Sequence, residues 1–146
     1  MSKTSSPIAV VTGGIRGIGK ATSIALSDAG YTVIANYNSN TKIANQFEQN
    51  TGIKTMQWNV ADFDQCKQAI DSIEKEYKNN VSVLVNNAGI TSDAMLHKAN
   101  QSNWQKVIDT NLTSCFNMSR AVIEKMRDNN FGRIISISSV NALSGQ

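Results

Sequence analysis

Pro7-Ile8-Ala9-Val10-Val11-Thr12-Gly13-Gly14-Ile15-Arg16-Gly17-Ile18-Gly19 is an apolar run that empties into a glycine-rich turn and then a helical segment. No other stretch restricts the possible folds as strongly. Glycine lets the backbone turn sharply and approach a pyrophosphate closely, and the first turn of the helix offers unpaired N–H groups at the positive end of its dipole. The spacing Thr12-Gly13-x-x-x-Gly17-x-Gly19, with Gly14, Arg16 and Ile18 inside it, therefore predicts a dinucleotide cradle between a strand and a helix. For such a run taken alone, the plain alternative is a turn that merely joins the two elements. The Gly-Lys-Ser/Thr ending that reaches terminal phosphates and magnesium is missing, which argues against a kinase-like phosphate site.

Downstream, hydrophobic periodicity predicts strands over residues 8–11, 32–35, 55–58, 81–85 and 133–138, with helices over 17–29, 42–50 and 63–78 between them. Val107, Ile108, Leu112, Cys115, Phe116, Met118, Val122, Ile123 and Met126 recur at helical spacing, which predicts one long or broken helix over 103–126, mostly buried on one face. Runs such as Val81-Ser82-Val83-Leu84-Val85 are too continuously apolar for a half-exposed sheet, and the intervening helices have crossover length. The pattern predicts an α/β fold, a doubly wound parallel sheet of the Rossmann type that stops after its fifth strand. Gly30 and Asn129-Asn130-Phe131-Gly132 stand where helix ends are punctuated. With no linker, repeat or low-complexity tract, residues 1–146 read as a single dinucleotide-binding domain.

A length of 146 residues suffices for one core, and a formal charge of +3 without a basic block offers no nucleic-acid surface. No apolar stretch approaches membrane-spanning length and residues 1–7 lack the charged-then-apolar pattern of a leader, so a cytoplasmic protein without a membrane contact is expected. Cys66 and Cys115 lack the paired spacing of a zinc or redox motif and read as reduced thiols in helices. His97 is the single histidine, which excludes any intrachain site that needs two imidazoles; it reads as a surface-loop residue rather than a general base. No metal site is expected.

A second cluster, Asn86-Asn87-Ala88-Gly89, directly follows the fourth strand, at the carboxyl edge where open α/β sheets bind ligands. In isolation it also suits an Asx-rich turn that ends a strand. Taken together with Asn111 in Asp109-Thr110-Asn111-Leu112 and Ser139 in Ile137-Ser138-Ser139-Val140, these clusters resemble the short-chain dehydrogenase/reductase family, whose marks are TGxxxGIG, NNAG, an Asn in a long helix and a Ser after the fifth strand. The resemblance covers essentially the whole chain. The segments Asn87-Ala88-Gly89-Ile90-Thr91-x-Asp93-Ala94-Met95-x-His97-Lys98 and Phe131-Gly132-Arg133-Ile134-Ile135 are similar to the branch that acts on acetoacetyl-CoA and 3-oxoacyl-carrier-protein thioesters.

The resemblance implies an NADPH-dependent reduction of a 3-oxoacyl thioester to the 3-hydroxyacyl thioester. It gives Ser139 the task of polarising the substrate carbonyl, with Ser138 as the neighbour that a shift of one would select. It also gives Asn111 a water in a proton relay, at a backbone position that interrupts its helix. Thr12, Gly13, Gly14, Arg16, Gly17, Ile18, Gly19, Asn87, Ala88 and Gly89 fall on cofactor-binding positions. NAD-dependent relatives place an acid at the end of the second strand, whereas this chain has Asn36 followed by Tyr37. Arg16 supplies a charged partner for the extra phosphate of NADP, so NADPH is favoured over NAD. Asn59-Val60 stands where relatives have Asp-Val beside the adenine.

The family's Tyr-x-x-x-Lys pair is missing: Tyr31, Tyr37 and Tyr77 are followed four positions later by Ala35, Thr41 and Val81. Its family spacing falls just past Gln146, so the chain is expected to be part of a longer reductase, inactive alone, with its fifth strand as an apolar exposed edge. The resemblance further implies a homo-oligomer, a tetramer, built in part on the helix over 103–126. A catalytically inactive dinucleotide-binding or regulatory module is the alternative from a different class.

Overall fold

The computed structural model describes residues 6–144. Most of the segment read against a leader, and Gln146, lie outside the described residues. Among the described residues the strands are β1 (Ile8–Val11), β2 (Thr32–Tyr37), β3 (Lys54–Gln57), β4 (Val81–Asn86) and β5 (Arg133–Ser136). The helices are α1 (Gly17–Asp28), α2 (Thr41–Thr51), α3 (Phe63–Tyr77), α4 (Gln101–Ile108), α5 (Ser114–Asp128) and the short α6 (Asn141–Ser144). All strand pairs are parallel, in the order β3-β2-β1-β4-β5. The chain builds outward from β1 to β3, then crosses back to lay β4 on the other side of β1. That reversal opens a crevice at the carboxyl ends of β1 and β4.

The period of two along each strand divides the core into two layers. Ile8 and Val10 of β1, with Ile34 and Leu84, pack against Cys66, Ile70 and Ile73 of α3 and Met118, Val122 and Met126 of α5. Ala9 and Val11, with Val33, Ala35, Val83 and Val85, face the opposite way onto Ala44 and Phe47 of α2, beside Ile24 and Leu26 of α1. The doubly wound parallel sheet predicted from the pattern is thus the fold observed. Gly30 (φ 91°) and Asn130 (φ 52°) adopt the left-handed backbone expected at helix ends. β2 runs two residues further than predicted, and β5 ends two residues earlier.

The apolar segment over 103–126 is the broken helix that its spacing allowed, but less of its stripe is buried than expected. Of its stripe, Met118, Val122 and Met126 are buried, whereas Leu112, Phe116 and Ile123 are 65%, 62% and 45% exposed and α4 buries no residue. A π-helical turn at Asp109–Thr113 separates α4 from α5, with the Ser114 N–H donating to the Asp109 carbonyl five residues back. The extra residue in that turn rotates the apolar stripe of α4 away from that of α5, so only α5 seats on β4 and α3. Among the described residues β5 lies at the sheet edge, with Ile134 37% and Ile135 47% exposed.

Both thiols are free and helix-borne; burial, aided by Asp62, pushes Cys66 up to about 12. His97 is exposed, in a single 3-10 turn (Leu96–Lys98) rather than a plain loop. No helix among the described residues is long and apolar enough to cross a membrane.

Candidate dinucleotide site

The glycine turn and the Asn87-Ala88-Gly89 turn leave adjacent strands and are tied together by Thr12, which is 2% exposed. Its hydroxyl donates to the Val85 carbonyl at 3.3 Å and accepts from the Asn87 and Ala88 N–H groups at 2.9 and 3.0 Å. One donor and two acceptor positions saturate a hydroxyl. Asn87 returns the contact, its Nδ2 donating to the Thr12 and Gly13 carbonyls at 2.9 and 3.3 Å. A Cβ at Gly19 would collide with the Gly13 carbonyl oxygen and Asn87 Nδ2, so α1 can sit against this clasp only because that position is glycine.

In front of the clasp opens a cleft of about 240 Å³. Gly13, Ile15 and Arg16 line it from the turn, Asn36 to Asn40 from the end of β2, Trp58, Asn59 and Val60 from the end of β3, and Ala88 and Gly89 from β4. Among the described residues no acidic side chain lines it. A second groove, lined by Arg16, Gly89, Ile90, Thr91 and Asn111, continues the site toward the π-helical turn. At the junction α1 begins with Arg16 as its N-cap, with no side chain capping it and no acid in its first turn. Gly17 (φ 52°) and Ile18 are exposed, and a Cβ on Gly17 would meet nothing within 4 Å. Open first-turn N–H groups beside a guanidinium suit a diphosphate, so the residues present fit a dinucleotide.

The structure sorts the residues singled out from the sequence. Gly13, Arg16, Asn36, Tyr37, Asn59, Val60, Ala88 and Gly89 line the cleft. Thr12, Gly14, Gly19 and Asn87 stand behind it as scaffold: the Gly14 N–H donates to the Asn36 carbonyl at 2.9 Å and its carbonyl accepts from Ser23 Oγ at 3.0 Å. Asn36 lines the cleft, but its carboxamide is turned inward. It is 2% exposed, its Oδ1 accepts from the Gly13 N–H at 3.2 Å, and its Nδ2 donates to the Tyr37 and Trp58 carbonyls at 3.2 and 3.0 Å. Asn59 Oδ1 accepts from the Ala61 N–H at 3.0 Å, and the buried Val60 offers its carbonyl to Asn117 Nδ2 at 3.1 Å. Asn38, Ser39, Asn40 and Trp58 were not singled out; they follow β2 and β3 as Asn87 to Gly89 follow β4, and the same carboxyl-edge rule finds them.

Asn111 lies in the π-helical turn, where its Oδ1 accepts from the Ile90 N–H and its Nδ2 donates to the Ile90 carbonyl, both at 2.9 Å. Its carboxamide thereby fixes the loop after Gly89 against the helix. Ser139 is exposed beyond β5, its hydroxyl accepting from the Asn141 N–H at 3.3 Å, and it lines neither cleft nor groove. The Ile137 N–H, donating to the Asn86 carbonyl at 2.9 Å, leads this segment away beside the end of β4.

The family model described as short chain dehydrogenase matches residues 7–146. An acetoacetyl-CoA reductase of Paracoccus denitrificans is 55% identical over 134 residues, 92% of this chain and 55% of that protein. One of Shinella zoogloeoides is 50% identical over 97% of this chain and 58% of its own length. A 3-oxoacyl-[acyl-carrier-protein] reductase of Synechocystis is 39% identical over 99% of this chain and 60% of its own. The chain thus spans between 55 and 60% of the length of these relatives. A switch-point cleft behind TGxxxGIG and NNAG turns, on a doubly wound sheet matched from end to end by that model, means that the chain belongs to the short-chain dehydrogenase family.

Proposed function

We propose that this chain is the cofactor-holding part of an NADPH-dependent reductase that converts a 3-oxoacyl thioester, linked to coenzyme A or a carrier protein, into the 3-hydroxyacyl thioester. The observation that carries the proposal is the acid-free cleft at the β1/β4 switch point, with Arg16 beside an uncapped helix start. The names of the relatives support the thioester substrate. Bound there, the reduced nicotinamide supplies the hydride.

The chain's own residues take the other tasks. N–H groups at the start of α1 hold the diphosphate, and Arg16 meets the additional phosphate with a planar, permanently charged fork. The amide and hydroxyl rim of Asn38, Ser39 and Asn40 adds neutral partners without repulsion. Asn111 positions the Ile90 loop through its side chain, and its backbone carbonyl, which also accepts the Cys115 thiol at 3.5 Å, is the group to hold a relay water. Ser139 donates its hydroxyl to the carbonyl that accepts hydride, and the Tyr and Lys of the family's proton-transfer pair are not in this sequence. The two free thiols suit the reducing cytoplasm. Leu112 and Phe116, the latter stacked on Phe63 at 6.2 Å, suit self-association into a tetramer.

Full-length protein should oxidise NADPH when acetoacetyl-CoA is added, and NADH much more slowly. Dinucleotide binding without turnover of any 3-oxoacyl thioester would favour an inactive binding module. A failure to bind either dinucleotide would overturn the proposal.

A further inference from the structure

Asn36 engages every polar atom of its carboxamide, and the partners come from three segments of the chain. Oδ1 takes the Gly13 N–H of the glycine turn, while Nδ2 reaches the Tyr37 carbonyl at the end of β2 and the Trp58 carbonyl after β3. β1 and β3 are not neighbours in the sheet, since β2 lies between them. This one buried side chain therefore links the two walls that face each other across the cleft, the wall bearing Gly13 and Arg16 and the wall bearing Trp58, Asn59 and Val60.

The main chain of Asn36 reinforces the link, because its carbonyl accepts the Gly14 N–H at 2.9 Å. The first two amides of the turn are thus directed at β2 rather than into the cleft. Gly13 is held at φ 61° with its peptide orientation settled before any ligand arrives. The N–H groups left open are those that begin α1, beside Arg16.

We propose that Asn36 is a positioning residue for the dinucleotide: it fixes the glycine turn relative to the β3 wall and so sets cofactor affinity without its carboxamide touching the cofactor. This rests on the dinucleotide reading of the cleft. The amide is required because the position needs an acceptor toward Gly13 and a donor toward two carbonyls at once. Aspartate has the same shape but presents only acceptors when ionised, which turns a carboxylate onto the Tyr37 and Trp58 carbonyls. Alanine leaves the Gly13 N–H and the Trp58 carbonyl without this partner. Threonine retains one acceptor and one donor, and it favours the strand.

The test compares Asn36→Ala, Asn36→Asp and Asn36→Thr in the full-length protein, measuring NADPH affinity by calorimetry and Tm by circular dichroism. Ala and Asp should weaken NADPH binding about tenfold or more, with Thr recovering to within about threefold of wild type. Ile73→Val, a core substitution remote from the cleft, should lower Tm while leaving affinity within about twofold. If affinity in the Asn36 variants falls no further than in Ile73→Val, the proposal is overturned. Amide hydrogen exchange on the ligand-free wild-type protein gives a second measurement that needs neither a folded variant nor the cofactor. Protected Gly13 and Gly14 amides support the brace, and freely exchanging ones overturn it. Wild-type protein that protects these amides yet binds no dinucleotide would overturn the functional reading beneath the proposal while leaving the brace itself standing.

Discussion

Asn87 donates twice to Thr12, its backbone N–H to the Thr12 hydroxyl and its side-chain Nδ2 to the Thr12 carbonyl, each at 2.9 Å. These two residues lie 75 positions apart in the chain. Their pairing holds the two ligand-facing turns in one arrangement, so the family's two glycine-bearing motifs form a single structure rather than two adjacent sites.

Thr12→Val keeps the shape of the side chain and removes the acceptor for two N–H groups. Each half-buried N–H left without a partner costs about 1–3 kcal/mol, so urea unfolding should show a loss of about 2–6 kcal/mol. Thr12→Ser keeps the hydroxyl and should lose less than about 1 kcal/mol. A smaller loss in Thr12→Val than in Thr12→Ser would show that the methyl group, not the hydroxyl, matters at this position.

Gly19 and Gly17 should respond differently to alanine. At Gly19 the new Cβ would sit 2.5 Å from Asn87 Nδ2 and closer still to the Gly13 carbonyl oxygen, so the clasp must move. Gly19→Ala should therefore abolish dinucleotide binding and destabilise by about 2 kcal/mol or more. Gly17→Ala meets open space and carries only the strain of φ 52°, about 1–2 kcal/mol, with a milder loss of affinity. Calorimetric titrations of the two variants that ranked them in the reverse order would contradict this assignment.

Arg16 provides a test of cofactor choice. On the proposed contact of Arg16 with the extra phosphate, Arg16→Ala should forfeit about 1.5–3 kcal/mol, so the Kd for NADPH should rise about tenfold or more while that for NADH changes little. An equal loss for both cofactors would place Arg16 on the shared diphosphate instead of the distinguishing phosphate.

Stability should depend on pH through the junction of α3 and α5, where Lys125 reaches the buried Glu74 and, at 3.7 Å, Asp71. The hydrogen bond to Glu74 holds the Lys125 ammonium above its ordinary 10.5, and the hydrogen bond from Lys67 holds Asp71 below its ordinary 3.8. The raised Lys125 value stabilises fully below 10.5, and that stability is lost as pH climbs through the folded value. The lowered Asp71 value stabilises above 3.8, and that stability is lost as pH falls through the folded value. Urea midpoints should be flat between about pH 5 and 9 and fall on both sides. Burial also raises Cys66 and Tyr77, so the informative comparison is with Lys125→Met, which should lower the plateau by about 1–2 kcal/mol and soften the alkaline decline. Superimposable alkaline limbs would remove Lys125 from the account.

Much of the site was legible because it obeys local rules. Gly13 takes φ 61° and Gly19 leaves no room for a Cβ, Asn59 and Ala88 stand two positions past the ends of β3 and β4, and Arg16 is the residue before α1. Asn36 shows the limit of such rules: position at the end of β2 suggests a residue facing the ligand, yet partners on the glycine turn and after β3 draw its carboxamide inward. Leu112 and Phe116 show another. Leu112 sits in the π-helical turn itself, and Phe116 lies two positions before Met118 on the same helix, ~200° around its axis, so it faces away from the buried row of Met118, Val122 and Met126; the stripe read from spacing merged two faces.

The sequence by itself determined the alternation of strands and helices, the glycine junction and the order in which the elements follow, because these depend on backbone propensity and hydrophobic period between near neighbours. Only the tertiary structure decided that Thr12, Gly14, Gly19 and Asn87 form the scaffold, whereas Arg16, Tyr37 and the Asn38 to Asn40 rim face the cleft. That division depends on which hydrogen-bond partners the parallel sheet brings together from distant parts of the chain, and a buried polar group turns toward whatever partner the fold supplies.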